Sequence, residues 1–296
     1  MILLTGATGL IGGELLPLLL ASGEEVRVLV REPRRLGPDR VNVQISLGDL
    51  ADARSARHAM RGVDTVIHLA ASIRDQPSGS VQELNGLATV RLLRAAERAG
   101  AKRFLFFSAL NASDFQRTRF FRAKALAERA VLASSLQSIV FAPSIVYGPG
   151  DPWTTLLRRF SKLPAVPVVG NGEARYQPIW AADVARCVMA ALEEKGPAAK
   201  KGEGARYELA GPQTLSYDEI VELVLGSLDR DRPLLHVPLA LVKASLRAAE
   251  LVAGPAVFAT WEEAELMEVP MTTKRGTEDP ERLGVAPRSM AEVLGR

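Results

Sequence analysis

The sequence predicts a doubly wound α/β fold, in which helices cover both faces of a parallel sheet, joined to a smaller, mostly helical C-terminal unit. Three observations support this prediction. Short apolar runs alternate with helical patterns in the first half of the chain, a glycine-rich turn follows the first run, and the alternation stops after Tyr147. Strands that are apolar along their whole length are typical of a parallel sheet buried on both sides.

The predicted strands and helices alternate in chain order. The predicted strands are residues 1–5, 26–30, 41–45, 64–70, 103–108 and 137–142. The predicted helices are residues 10–21, 51–60, 81–99 and 120–132. Pro17 lies inside the first helix, where it removes a backbone donor and is expected to kink or weaken it. Gly100 follows the third helix and is a typical C-terminal stop.

After Tyr147 the pattern predicts a smaller unit interleaved with the last elements of the sheet. The predicted elements are a loop-rich stretch over 148–172, a helix over 180–192, a solvated linker over 196–204, a strand over 207–211 and two or three helices within 216–267. We expect a first domain over 1–145, completed by about 178–211, and a second unit of 146–177 and 212–296. The apolar stretch 237–261 is interpreted as a core helix, with an amphipathic docking surface as the alternative.

Composition excludes several classes of protein. The 296 residues are 47% hydrophobic and 24% charged, which is ordinary for a folded chain and excludes a disordered one. One cysteine and three histidines argue against a disulfide scaffold or a metal site. The balance of 37 basic and 34 acidic residues argues against nucleic-acid binding. No apolar run is long enough for a transmembrane helix, and no basic region precedes the first one, so we expect a cytoplasmic protein.

The strongest local motif is the segment TGATGLIGG at residues 5–13, directly after the first strand. Gly6 permits a tight turn, Gly9 lets the backbone approach a pyrophosphate, and Gly12 lets the helix pack closely on the sheet. The free N–H groups at the helix N-terminus favour an anion. The motif therefore predicts nucleotide binding; the alternative is a glycine turn with no ligand.

The end of the second strand bears on which nucleotide binds. An acidic residue there would accept hydrogen bonds from a free adenosine ribose. Here the strand is followed by Arg31, which can bind a 2′-phosphate bidentately, with Arg34 or Arg35 adding charge. These residues favour NADP(H) over NAD(H). Two alternatives stay open: a solvated arginine loop, or Glu32 serving a ribose.

Together these motifs resemble the short-chain dehydrogenase/reductase superfamily, in its extended and atypical branches, which include the epimerase/dehydratase-like proteins. The matching segments are TGATGLIG at 5–12, Asp49-Leu50, HLAA at 68–71, Asn85, APSIVYGPG at 142–150, YQPIWAADVA at 176–185 and AGPQTLS at 210–216. Ala142 replaces the family's arginine. The last two segments, with residues 107–110 and 124–128, resemble the subgroup of the nucleotide-binding accessory subunit of respiratory complex I and its bacterial relatives.

The resemblance implies a Rossmann domain and a set of cofactor-binding residues. These are Gly6, Thr8, Gly9, Leu10, Ile11, Gly12, Arg31, Asp49, Leu50, Ala70, Ala71, Ser108, Lys124 and Pro143. It also implies catalysis by a serine, a tyrosine and a lysine, the last two spaced YxxxK on one helix face.

The catalytic set is incomplete in this chain. Ser108 and Lys124 match the serine and the lysine, but Phe120 occupies the tyrosine position. A phenyl ring cannot transfer a proton, as a general acid or base must. Lys124 can still bind ribose hydroxyls; the alternative is a surface lysine paired with Glu128. Ser108 is interpreted either as a catalytic relic or as a strand-end hydroxyl.

Two functions follow from this pattern. The first is a nucleotide-binding protein of low turnover that acts as a sensor or as part of a protein or membrane complex. The second is an active NADPH-dependent reductase or epimerase/dehydratase with another proton donor. Three further residues are interpreted structurally: His68 as a core histidine, Asp183 as a capping or turn-bonding group, and Cys187 as a buried thiol.

Overall fold

A computed structural model describes residues 1–193, 205–253 and 260–295. In these ranges the strands are β1 (Ile2–Thr5), β2 (Val26–Val30), β3 (Gln44–Leu47), β4 (Thr65–His68), β5 (Arg103–Phe107), β6 (Gln137–Pro143), β7 (Val146–Tyr147), β8 (Val166–Val169), β9 (Arg175–Tyr176), β10 (Ile179–Trp180), β11 (Ala205–Leu209), β12 (Leu215–Ser216) and β13 (Leu234–Val237). The α-helices there are α1 (Leu10–Ala21), α2 (Ala53–Ala59), α3 (Ala88–Ala99), α4 (Arg119–Leu132), α5 (Pro152–Phe160), α6 (Ala181–Leu192), α7 (Tyr217–Gly226), α8 (Leu239–Ala253), α9 (Trp261–Leu266), α10 (Glu278–Arg282) and α11 (Met290–Val293).

The centre of the fold is a seven-stranded parallel sheet in the order β11-β6-β5-β4-β1-β2-β3. Both faces are covered by helices, because alternate side chains of each strand enter two separate cores. Leu4 faces α1 and α6, whereas Leu3 faces α2, α3 and α4. The predicted doubly wound fold is therefore confirmed. Strands β1 to β3 are added towards one edge of the sheet, and β4 to β6 towards the other edge. This change in strand order between β1 and β4 opens a crevice at the carboxyl ends of these strands.

Pro17 does not interrupt α1. Its ring lies on the exposed side of the helix. The carbonyl that loses its donor belongs to Gly13, which is also exposed and can bond to water. The lost hydrogen bond is therefore tolerated at the solvent face, while Leu15, Leu16 and Leu19 stay buried.

Two predicted elements are displaced. The third strand begins at Gln44, because residues 33–41 form a 3₁₀ segment that leaves Val41 79% exposed. The helix predicted over 81–99 starts with a π-turn at Glu83–Leu87 before α3 begins. Gly100 ends α3 at φ +76°, as its position predicts.

The loop-rich stretch predicted over 148–172 contains helix α5 and strand β8, and three small sheets form in this part of the chain. The pairs β7–β10, β9–β12 and β8–β13 are each two-stranded, and with α5 and α7 they surround a third core. The stretch 237–261 was predicted to form a core helix. Among the α8 side chains that the structure describes, Leu246 is buried but Leu241 is 62% exposed, so only part of the helix faces the core. The predicted linker over 196–204 lies outside the described residues, and the proposed domain boundaries stay a prediction.

Candidate functional site

The glycine turn between β1 and α1 is a cradle that side chains would fill. Gly6 has φ +77°, and a Cβ built on it would lie 2.6 Å from the backbone nitrogen of Ala70. A Cβ on Gly12 would lie 2.3 Å from the carbonyl oxygen of Gly6. Gly6 is therefore required for the turn, and Gly12 for the close packing of α1 beneath it.

The N-terminus of α1 is left open for an anion. Its N-cap residue is Gly9, which offers no side-chain cap, and the first turn contains no acidic residue. The first-turn N–H groups, those of Leu10, Ile11 and Gly12, have no intrahelical acceptor. Together with the positive end of the helix dipole, these groups suit a phosphate.

A cavity of about 380 Å³ lies beside this turn, at the crevice between β1, β2 and β4. Predicted residues in its lining are Gly6, Thr8, Gly9, Arg31, Asp49, Leu50, Ala70 and Ala71. The fold thus brings together predicted residues from four separate segments of the chain. This group of backbone and side chains fits the phosphate and adenosine parts of a nicotinamide dinucleotide.

Other predicted residues lie outside this lining. Ile11 packs on the core, and Leu10 approaches Gly148, whose Cβ would lie 3.0 Å from it. Pro143 ends β6, where its carbonyl accepts a hydrogen bond from the N–H of Leu110. Their assignment as cofactor contacts stays a prediction.

Several lining residues were missed by sequence reasoning. They are Ala7, Leu29, Val30, Gly48, Leu69, Ser72, Gln76 and Leu84. Ser72 and Gln76 belong to the loop after β4, and no motif marks them. Position gave a signal at Ala7 and Leu69, which lie inside quoted motifs, and at Gly48, which directly precedes Asp49.

The charges of the cavity are mixed. Arg31 and Arg35 both line it, and Arg31 lies 3.8 Å from the carboxylate of Asp49. The Arg31 side chain is 55% exposed, so this ion pair is screened by solvent and leaves the guanidinium able to reorient. Glu32 and Arg34 are not in the lining. The cavity therefore presents two cations where the motif predicted a 2′-phosphate clamp.

Lys124 is buried on α4, with 2% of its surface exposed. Its Nζ donates a hydrogen bond of 2.7 Å to the carbonyl of Phe107, at the end of β5, and lies 5.7 Å from the centre of the Phe120 ring. The alternative of a surface lysine paired with Glu128 is therefore wrong. Burial lowers the pKa of Lys124 from 10.5 to about 7.

The hydroxyl of Ser108 is engaged elsewhere. It donates a hydrogen bond of 2.5 Å to the carboxylate of Glu128, one turn beyond Lys124 on α4. Glu128 also accepts a hydrogen bond from Arg206 at 2.6 Å, and Arg206 donates a second hydrogen bond to Glu208. Ser108 and Lys124 are thus neighbours at the end of β5 whose polar atoms serve different partners.

Phe120 lies at the start of α4 and lines a second cavity of about 310 Å³. The two cavities meet the same loop after β4: residues 69–72 line the first, and Ile73 lines the second. No tyrosine belongs to either lining in the described part of the chain. The described residues that line this crevice therefore lack the phenol that the catalytic motif calls for.

Three structural interpretations are confirmed. His68 is buried, bonds to Thr5 and Thr89, and has its pKa lowered to about 3, mainly by burial. Asp183 is fully buried on α6 and accepts hydrogen bonds from the side chain and backbone N–H of Arg288. Burial raises the pKa of the Cys187 thiol to about 12, so it is an inert thiol.

Two other kinds of functional feature are absent from the described residues. The described residues contain no group of three or more His, Cys, Asp or Glu side chains placed to hold a metal ion. Among the helices that the structure describes, none is both long and apolar enough to cross a membrane.

Comparison with known proteins agrees with this geometry. The chain is 28% identical over 264 residues to the mitochondrial NADH dehydrogenase [ubiquinone] 1 alpha subcomplex subunit 9 of Arabidopsis thaliana, covering 86% of this chain and 64% of that protein. It spans between about half and two thirds of the length of the first curated relatives it matches.

Solved structures share the fold across the whole chain. The NADPH-dependent quinone oxidoreductase QOR2 of Escherichia coli, complexed with NADPH, superposes with a TM-score of 0.76 at 18% identity, covering 100% of this chain and 99% of that one. MoeE5 in complex with UDP-glucose and NAD gives 0.72 at 23% identity, covering 99% and 96%. The family model described as "NAD dependent epimerase/dehydratase family" matches residues 2–207. The chain therefore belongs to the NAD-dependent epimerase/dehydratase family.

Proposed function

We propose that this protein binds NADP(H) in the cavity beside the glycine turn, turns it over slowly, and acts as a sensor or as part of a protein complex. The observation that carries the proposal is a contrast between two neighbouring cavities. The cradle for the nucleotide is complete, whereas Phe120 stands where the family's proton-transferring tyrosine is expected.

Binding is assigned to particular groups of the chain. Gly6 and Gly9 give the backbone close access, the open end of α1 supports the phosphates, and Arg31 with Arg35 supports a 2′-phosphate. Asp49 and Leu50, which line the same cavity, are assigned to the adenine. The bound nicotinamide supplies a hydride when an acceptor is present.

Slow turnover follows from the missing phenol. General acid or base catalysis contributes typically about 10²–10⁴-fold, and neither cavity lining offers a tyrosine in the described chain. Ser108 is occupied by Glu128, so it is not free to replace that tyrosine. The substituted position therefore affects the chemical step more than it affects nucleotide binding.

Complex association rests on the relative named as a subunit of NADH dehydrogenase. We propose the corresponding role for this chain: a nucleotide-binding subunit held to a larger assembly. Comigration of the tagged chain with NADH:quinone oxidoreductase activity on a native gel is the expected result. Migration as a free chain in every fraction contradicts this part. The cytoplasmic location stays a prediction.

A second candidate is an active NADPH-dependent reductase or epimerase/dehydratase with another proton donor. The observation that favours it is Lys124, a buried amine with a pKa of about 7, 5.7 Å from the Phe120 ring. A group that titrates near neutral pH is suited to proton transfer. This candidate differs from the first in turnover and not in the nucleotide bound.

The test separates binding from turnover. The full chain is purified without added nucleotide and denatured, and the released molecules are identified by mass. The apo form is then titrated with NADPH and NADH by calorimetry, and NADPH oxidation is followed with a panel of quinones and aldehydes. Tight NADPH binding with oxidation no faster than the protein-free control supports the proposal. Fast oxidation supports the second candidate, and absence of binding to either nucleotide overturns both.

A further inference from the structure

The second cavity is built from four segments, and nucleotide binding does not account for it. Its volume is about 310 Å³, at the lower end of the about 300–1,000 Å³ usual for small-molecule sites. It is lined by Ile73, Val81, residues 117–120, Arg122, Trp261, Glu262, Glu265 and Leu266. One side of the lining is apolar and aromatic, and the other side is the start of α4.

The start of α4 brings uncompensated positive charge to the cavity. Arg119 is neutralised by a bidentate pair with Glu262 and a contact to Asp75. Glu265 is paired with Lys243. Among the residues that the structure describes, Arg122 donates hydrogen bonds only to the backbone carbonyls of residues 116 and 117. Arg117 is exposed and has no side-chain partner among the described residues. Two cations in the lining therefore have no acidic partner.

Thr118 supplies a second, independent indication of a ligand. It is the N-cap residue of the 14-residue helix α4 and lines the cavity, yet its side chain caps no backbone N–H. It is 5% exposed, and its Oγ1 is buried without any hydrogen-bond partner. Buried polar groups are almost always paired, so this hydroxyl lacks an acceptor or donor that a ligand in the cavity can provide.

The opposite wall is held firmly in place. Two ion pairs hold α9 against the sheet domain. Glu262 accepts hydrogen bonds from Arg119, and Glu263 accepts them from Arg74 at N–O distances of 2.8 and 2.9 Å. These pairs fix Trp261 and Leu266 across from Ile73, Val81 and Phe120. The cavity thus joins a rigid apolar wall to a cationic helix end.

We propose that this cavity is a second ligand site, which binds a small amphipathic anion with an aromatic-sized apolar body and one carboxylate head. The apolar body packs between the Phe120 and Trp261 sides of the cavity. The carboxylate accepts hydrogen bonds from the Thr118 hydroxyl and the free N–H groups of the α4 start, with Arg117 and Arg122 supplying charge. The site is independent of whether a nucleotide occupies the first cavity.

The test uses 2-naphthoate as the probe and uncharged 2-naphthamide as its neutral match. Both are titrated by calorimetry into the full chain saturated with NADPH, and again without nucleotide. Saturable binding of 2-naphthoate, with 2-naphthamide weaker, is expected in both conditions. The titration without nucleotide separates this proposal from the previous one, since failure of NADPH to bind affects only the latter.

Two variants test whether 2-naphthoate binds in this cavity. Arg117→Met is expected to weaken 2-naphthoate binding about fivefold, the upper range of a solvent-screened ion pair. Thr118→Val keeps the shape of the side chain and is expected to weaken it about tenfold, through loss of a hydrogen bond to a charged group. Binding of 2-naphthamide changes little in either variant.

Arg98→Met is the matched control, because Arg98 is also exposed and lies on α3 outside the lining. It removes the same charge and is expected to leave binding unchanged. The proposal is overturned if 2-naphthoate does not bind, if both site variants bind it as the unaltered chain does, or if Arg98→Met weakens it equally. Since Arg117 has no partner to lose, its variant stays informative even if Thr118→Val fails to fold.

Discussion

The starts of α1 and α4 are both helix N-termini without a side-chain cap and without an acidic residue in the first turn. They differ in what surrounds them. Glycines clear the space before α1, so the backbone itself forms the cradle. Three arginines, a threonine and Phe120 crowd the start of α4. The backbone cradle of the family motif is therefore kept in this chain, whereas the side chain at the position of the motif's tyrosine differs from it.

The largest effect is expected at the backbone cradle. Gly6→Ala places a Cβ 2.6 Å from the Ala70 backbone at a φ of +77°, so the turn must deform. We expect NADPH binding to weaken more than about 100-fold, measured by calorimetry. Gly13→Ala is the control: no atom lies within 4 Å of its Cβ, and the helix gains propensity. Equal loss in both variants, or no loss at Gly6, contradicts the role of the cradle.

The second prediction concerns the buried amine of Lys124, near Phe120 at the start of α4. Its pKa is about 7 in the folded protein, against 10.5 for an exposed lysine, so the unfolded chain binds more protons between these pH values. The free energy of unfolding is therefore expected to rise with pH across this window, by up to about 1.4 kcal/mol per pH unit from this group. Below pH 7 both states are protonated and the contribution is constant.

Urea unfolding of the unaltered chain and of Lys124→Met, measured at pH 7, 8 and 9, isolates that contribution. Because other titrating groups are shared, the difference between the two curves reports on Lys124. The stability of the unaltered chain is expected to rise relative to the variant as pH increases. A difference that is flat with pH shows that the buried amine is not perturbed.

Phe120→Tyr tests whether the missing phenol at the start of α4 accounts for slow turnover. The change adds a hydroxyl to a ring whose centre is 5.7 Å from Lys124, which recreates the YxxxK pair. We expect NADPH oxidation with 9,10-phenanthrenequinone to rise roughly 100-fold, the lower end of what general acid catalysis supplies. The double variant Phe120→Tyr/Lys124→Met serves as control and is expected to lose the gain. No gain in the single variant indicates that more than the phenol is missing.

The smallest effect is expected at nucleotide selectivity. Arg31→Met removes an exposed cation from the first cavity, so we expect the Kd for NADPH to rise about fivefold while that for NADH stays constant. Arg34→Met is the matched control, since Arg34 follows the same strand but is not in the lining. Parallel changes for both nucleotides assign Arg31 to general charge and not to the 2′-phosphate.

Local patterns predicted much of the sheet domain and half of the candidate site. The apolar run at β2 and the glycine stop after α3 were located to the residue, because burial and φ requirements act locally. The displaced edge strand β3 shows the limit: Ile45 and Leu47 are 43% and 69% exposed there, so apolar character did not mark the strand's bounds. The strands β8 and β13 were missed because their paired residues, such as Val166 and Leu234, are 68 positions apart and meet only in the folded chain.

The sequence by itself determined the doubly wound sheet, the glycine cradle and the absence of a tyrosine at position 120, because each depends on residue type and short spacing. Tertiary structure alone decided the rest. It buried Lys124 against the Phe107 carbonyl, engaged Ser108 with Glu128, and brought α9 across the start of α4 to enclose a second cavity. These contacts join residues 17 to 143 positions apart, and their energies depend on burial and partner geometry, which local pattern does not carry.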